Sequence, residues 1–190
     1  MAAPLVDRAL RPVLERLPAL ITPNRITVFR GLLIMPILVL HRDHPLIAGF
    51  GIFLPAMVLD AFDGPLARHR GEVSESGAFL DATVDKLFLH GLLWLALVPA
   101  VPVPLAAALT GIDLLLTAVR AVKRHRGLTM RSNIFGKVKT IVMSFGVGFA
   151  LTQAPWLIMP AMLLLGLAAL FAGASLVGQL GDFFRKQDAS

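Results

Sequence analysis

Apolar runs of roughly 20 residues recur along this chain between residues 22 and 181, separated by short polar breaks. A run of that length crosses the hydrocarbon of a bilayer as a helix. The pattern predicts six spans, at about 22–41, 45–68, 75–98, 105–123, 134–153 and 156–181. Ahead of them, residues 3–19 place Leu5, Leu10, Val13, Leu14 and Leu17 on roughly one helical face, with Arg8, Arg11 and Arg16 off it. That is the pattern of an amphipathic helix lying in the membrane interface. The expected fold is an all-α integral membrane protein with six transmembrane helices and an N-terminal amphipathic interfacial helix. Its parts are an interfacial helix at 1–20, a transmembrane domain at 21–184 and a tail at 185–190.

Local signals refine the boundaries. Thr22 suits an N-cap and Pro23 the first helical position. Pro12 and Pro36 sit inside predicted helices and are expected to kink them. Pro99, Pro102 and Pro104 separate the third span from the fourth. Arginine and lysine cluster at the N-terminus, near 68–70, at 123–131 and in the tail, which six spans bring to one side; Arg42 stands opposite. The positive-inside rule makes that side cytoplasmic, with both termini there, in a membrane such as the bacterial inner membrane. The chain is 56% hydrophobic and only 16% charged, so no soluble domain is expected. Its net charge of +6 therefore points to anionic headgroups and anionic substrates, not to nucleic acid. No cysteine is present, which removes disulfides and thiolate metal sites, and no cleavable signal fits the N-terminus.

Against this apolar background, residues 60–85 stand out. Six of the twelve acidic residues lie there, and the four aspartates form two pairs: Asp60 and Asp63 at i and i+3, Asp81 and Asp85 at i and i+4. Each pair shares a helix face, and the two helices run antiparallel across a short loop, so the pairs can converge. Acids in apolar helices are costly and mark a functional site. Four converging carboxylates repel one another, and a divalent cation relieves this; hard oxygen ligands suit Mg²⁺ or Mn²⁺. Gly64 and Gly77, lacking side chains, permit close approach beside the pairs, and Arg68 is placed to hold a phosphate.

Written out, the stretch is D-x2-D-G-x2-A-R-x8-G-x3-D-x3-D, from Asp60, Asp63, Gly64, Ala67, Arg68 and Gly77 to Asp81 and Asp85. It resembles the signature of the CDP-alcohol phosphotransferase family of integral membrane enzymes, at every fixed position. The resemblance implies transfer of a substituted phosphate from a CDP-linked donor, commonly CDP-diacylglycerol, to a small alcohol acceptor, with release of CMP. It also implies that Asp60, Asp63 and Asp81 ligate metal. Asp85 would be the general base and touch a second metal, and Gly64, Ala67, Arg68 and Gly77 would border the CDP moiety together with Asp60. Pro23-Asn24-Arg25-Ile26-Thr27 and Arg30 resemble the family's first span, so Asn24 and Thr27 are candidates for nucleotide contact, with helix capping as the alternative. Arg30, inside an apolar helix, is expected to pair with an acid of the cluster or with a lipid phosphate.

Gly136-Lys137-Val138-Lys139-Thr140 resembles a stretch of bacterial members that make phosphatidylglycerophosphate or related phospholipids. Arg120, Arg131, Lys137 and Lys139 are the candidate acceptor-binding residues, for an anionic acceptor. Lys123, Arg124 and Arg126 are read as a positive flank. Members using glycerol phosphate often carry Arg-Glu seven residues before a position like Arg120, where this chain has Ile112-Asp113. Glycerol 3-phosphate is the leading acceptor, and an inositol phosphate or another polyol is the alternative. Outside this class, a divalent-cation transporter or an inactive scaffold of the same fold remain as rivals. The five histidines show no ligand spacing, and Trp94 and Trp156 read as anchors or packing residues. Small residues at 173–175, 178 and 181 allow close helix contact, within one subunit or across a homodimer seam.

Overall fold

The computed structural model describes residues 5–18, 20–126 and 134–187. All regular structure among them is helical. The chain divides into two compact units, Met1–Leu92 and Leu93–Ser190. Five helical stretches among the described residues are long and apolar enough to cross a membrane: Pro23–Leu40, Ile47–Arg70, Val103–His125, Ile134–Leu151 and Pro155–Gly181. The remaining expected span is a helix as well, Glu75–Leu95, but it carries Asp81, Asp85 and Lys86 close together and falls outside that set.

In the first unit, α1 (Leu5–Leu14) runs through Pro12 and stops two residues later. Leu14 is buried in a cluster with Ile26 and Leu66, against which Leu10, Leu17, Ile21, Leu59 and Phe62 pack. Part of the apolar face of α1 is thus covered by α2 (Pro23–Leu32) and α4 (Leu54–Arg70). Thr22 occupies the N-cap of α2 in extended conformation, with Pro23 next; its carbonyl accepts from the N–H of Arg25 and Ile26, while its side chain makes no cap bond. The expected break at Pro36 falls at Leu33, between α2 and α3 (Ile34–Leu40). Pro36 has no N–H to offer the Leu32 carbonyl one turn back.

The second expected span is not a uniform α-helix. Ile47–Phe53 forms a π-helical stretch, and the Leu54 N–H reaches the Gly49 carbonyl. Pro55 sits where an α-helix would need an N–H for Gly51, so the wider turn accommodates a lost bond. α4 ends cleanly at Gly71, whose φ of 68° suits glycine. The Glu72 N–H bonds the Ala67 carbonyl at 2.9 Å and the Gly71 N–H bonds that of Arg68 at 3.4 Å, which is a Schellman ending. Ser74 then caps α5 (Glu75–Leu95), its Oγ accepting from the Gly77 N–H at 3.0 Å. Phe53 and Phe88 stack within this unit with ring centroids 5.8 Å apart.

The second unit contains α6 (Val103–His125), α7 (Ile134–Leu151) and α8 (Pro155–Gln187). As far as Gly181, the buried positions of α8 are Leu157, Ala161, Leu165, Ala168, Ala172, Ser175 and Gln179, a stripe of three- and four-residue steps. Met143, Val147, Ala150 and Leu151 of α7 are buried in the same unit, and the short connection 152–154 makes α7 and α8 a hairpin. Large apolar side chains point outward instead: Leu163, Leu170 and Val177 are 68–71% exposed. Small residues inside and large apolar ones outside suit helices solvated by lipid.

Candidate active site

The turn between α4 and α5 brings the two carboxylate pairs together. Asp60 and Asp63 descend from α4, Asp81 and Asp85 from α5. One ligand oxygen from each of Asp60, Asp63 and Asp81 lies within 4.8 Å of the others. Asp63 is buried, Asp60 and Asp81 half-buried. Its Oδ1 accepts from the Gly64 N–H at 2.6 Å, and the Thr27 hydroxyl lies 3.2 Å from its Oδ2. Thr27 is itself buried.

Arg30 completes the cluster from α2. Its guanidinium is fully buried and pairs with three acids: Nη2 is 3.1 Å from Asp81 Oδ1 and 2.7 Å from Asp85 Oδ1, and Nη1 meets Asp60 Oδ1. Of the two partners expected for Arg30, the acids are therefore the ones found. Three hard oxygen donors from two helices, converging and half open, fit a divalent ion of the Mg²⁺ type.

Beside the cluster lies a cavity of about 250 Å³. Asn24, Thr27, Gly64, Ala67, Arg68 and Gly77 all line it, so six of the seven nucleotide candidates share one wall; Asp60 is the exception. Asp63 and Asp81 reach it too. Gly77 is held close: a Cβ there would come within 2.9 Å of Ser74 Oγ and 3.0 Å of Asn24 Oδ1. The sequence reading overlooked Glu72, Val73 and Ser74 as further lining residues. A serine ahead of an apolar helix was the available signal for Ser74. Arg70, read only as a loop cation, donates to the carbonyls of Ile21, Leu17 and Pro18 at 2.6, 3.1 and 2.9 Å, tying the segment after α1 to the end of α4.

The acceptor candidates belong to the second unit. Lys139 is buried, and its Nζ donates to both oxygens of Asp113, at 2.5 and 2.6 Å. Arg120 and Lys137 are exposed. Arg120 Nη2 and Ser175 Oγ each lie 3.4 Å from where a Cβ on Gly136 would stand. Arg131 lies outside the described residues. Lys123, expected in a solvated flank, is instead buried and donates to the Gln179 carbonyl at 2.6 Å, joining α6 to α8.

The family model described as CDP-alcohol phosphatidyltransferase matches residues 20–173, most of the chain and all of the carboxylate signature. The chain belongs to the CDP-alcohol phosphatidyltransferase family. Among similar members, the probable phosphatidylglycerophosphate synthase of Mycobacterium tuberculosis is 29% identical over 133 residues, 66% of this chain and 63% of that protein. The CDP-diacylglycerol–glycerol-3-phosphate 3-phosphatidyltransferase of Pseudomonas fluorescens is 36% identical, over 56% of this chain and 58% of its own length. The archaetidylinositol phosphate synthase of Pyrococcus horikoshii is 37% identical, over 44% and 45%. The chain thus spans less than two thirds of the length of each of these relatives. It shares its fold with the crystal structure of Mycobacterium tuberculosis phosphatidylinositol phosphate synthase with CDP-DAG bound. The two are 23% identical, with a TM-score of 0.64 over 94% of this chain and 93% of that one.

Proposed function

We propose that this CDP-alcohol phosphatidyltransferase family member is a membrane enzyme that transfers a phosphatidyl group from CDP-diacylglycerol to an alcohol acceptor and releases CMP. The observation that carries the reading is the joining of the α4–α5 carboxylates to a cavity lined by Asn24, Thr27, Gly64, Ala67, Arg68 and Gly77. Such a cavity can receive a nucleotide diphosphate beside a metal, and family membership favours transfer over ion transport. Glycerol 3-phosphate is the leading acceptor, supported by the two bacterial relatives named for that chemistry. An inositol phosphate is the second reading, supported by the archaeal relative.

In this proposal Asp60, Asp63 and Asp81 would hold Mg²⁺ or Mn²⁺, and Asp85 would touch a second ion. Bound there, the ion would offset charge on the diphosphate and on the departing CMP. Asp85 takes the proton of the acceptor hydroxyl, a poor nucleophile until deprotonated. Gly64 and Gly77 leave room for the CDP moiety, and Arg68 binds phosphate. Arg120, Arg131 and Lys137 receive the acceptor's own phosphate, and Lys139 contributes the one ammonium donor that Asp113 does not use. The site and both termini lie on the cytoplasmic side. There α1 rests in the interface, and α5 makes the sixth crossing despite its acids.

The test is CMP release by the purified protein with CDP-diacylglycerol and Mg²⁺, against glycerol 3-phosphate, inositol phosphate, inositol, serine and no acceptor. Release driven by glycerol 3-phosphate is the expected result. Release driven by inositol phosphate alone would move the assignment to the second reading. Absence of metal-dependent CDP binding would overturn the proposal.

A further inference from the structure

We infer that Arg30 is a built-in counter-ion of the carboxylate cluster, a positioning residue that keeps the acids assembled without metal and holds down their affinity for it. The inference rests on reading the carboxylates as metal ligands. Arg30 is the point where α2 meets the acids of α4 and α5. Its side chain is fully buried, whereas those of Asp60, Asp81 and Asp85 are 37, 39 and 29% exposed. The guanidinium therefore lies behind the carboxylates, away from their open side.

The contacts divide each carboxylate in two. Arg30 uses Oδ1 of Asp60, of Asp81 and of Asp85. It holds acids from two helices at once, which a planar, permanently charged fork can do. Asp63 is satisfied differently, by the Gly64 N–H and the Thr27 hydroxyl. Without a cation at their back, Asp60, Asp81 and Asp85 would repel across the α4–α5 interface, screened by water only from their open side. The cluster would then depend on metal to stay together.

Arg30 and a metal ion neutralise the same charges, so each lowers the gain from the other. Linkage makes this reciprocal: the factor by which Arg30 lowers metal affinity is the factor by which bound metal weakens the hold of Arg30 on the cluster. The consequence for the proposed enzyme is a site that is already shaped when empty and exchanges its ion readily. A residue that merely packed α2 would give the opposite sign, since damage to the site loosens metal.

The experiment uses full-length protein in detergent and Mn²⁺ alone as the probe, with free Mn²⁺ counted by electron paramagnetic resonance and unfolding followed with and without the ion. Arg30→Gln is expected to lower the melting temperature of the metal-free protein, to recover most of it with Mn²⁺, and to bind Mn²⁺ at least about tenfold more tightly. Arg30→Lys keeps the charge and is expected to stay within about threefold of the unsubstituted protein. Arg30→Gln that folds only with Mn²⁺ and unfolds on chelation supports the inference as well. Unchanged or weaker Mn²⁺ binding in Arg30→Gln overturns it. So does a Gln variant that fails to fold even with Mn²⁺, or a Lys variant whose affinity drops tenfold. If the unsubstituted protein and both variants bind no Mn²⁺, the metal reading itself falls.

Discussion

Residues in and beside the cavity have separable proposed tasks, and substitution can tell them apart. Asp85→Asn keeps shape but removes the proposed base; turnover should fall by at least about a thousandfold, within the range general-base loss produces, while CDP-donor binding stays near normal. Turnover close to normal would remove Asp85 from that role. Asp63→Ala should weaken metal-dependent donor binding, read as a rightward shift in the Mg²⁺ requirement; an unshifted curve would contradict its place among the ligands. Gly77→Ala puts a methyl group within 2.9 Å of Ser74 Oγ and 3.0 Å of Asn24 Oδ1. It should weaken CDP binding at least severalfold with little loss of folded protein, checked by titration alongside thermal unfolding. The four aspartates were legible because their spacing fixes which face of their own helix they share. The partner of Arg30 was legible as one of two, an acid of the cluster or a lipid phosphate. A buried arginine needs a counter-ion, but its spacing along α2 does not show that it would hold three acids at once.

At the scale of elements, the proline positions were readable and their outcomes only partly so. The first span is interrupted at Leu33, one turn before Pro36, whereas α1 runs through Pro12. Pro55 yields a π-helical stretch, because a lost bond can be absorbed by a wider turn as well as by a kink, and the choice depends on packing around it. Pairings across helices were not readable at all. Asp113 and Lys139 are remote in sequence and meet only because α6 and α7 pack in one unit. Lys139→Met should destabilise the protein by about 3–5 kcal/mol, since it breaks a buried ion pair from one side. Adding Asp113→Leu should restore most of that loss. An additive double variant in thermal or denaturant unfolding would show that the two groups do not depend on each other. Arg70→Met removes three bonds to the carbonyls at 17, 18 and 21. Limited proteolysis should then cut the segment between α1 and α2 several times faster, and an unchanged rate would mean that Leu14 and its neighbours hold α1 unaided.

For the whole molecule, the succession of apolar runs was enough to give an all-helical chain, and five of the six expected spans have the length and apolar character to cross a membrane. The exception is α5, and the reason is the site itself: the acids that do the proposed chemistry are the ones that lower its apolarity. Function and hydropathy compete for the same positions, which is why a pattern of apolar runs and a carboxylate motif have to be read together. Arginines and lysines were harder to sort by pattern. Lys123 and Lys139 are buried and bonded, while Arg120 and Lys137 are exposed. A positive flank and a set of helix ties look alike in one dimension.

The Asp113–Lys139 pair has a consequence for how such a chain is made. Asp113 stands near the middle of α6, and a carboxylate at that depth opposes entry into lipid by roughly 2.5–3.5 kcal/mol. Its partner is encoded downstream, on α7, and emerges from the ribosome later. During synthesis α6 is thus a reluctant helix until α7 arrives to neutralise it. The two should leave the insertion machinery as a joined hairpin, and a ribosome stalled between them should leave α6 exposed to the aqueous side.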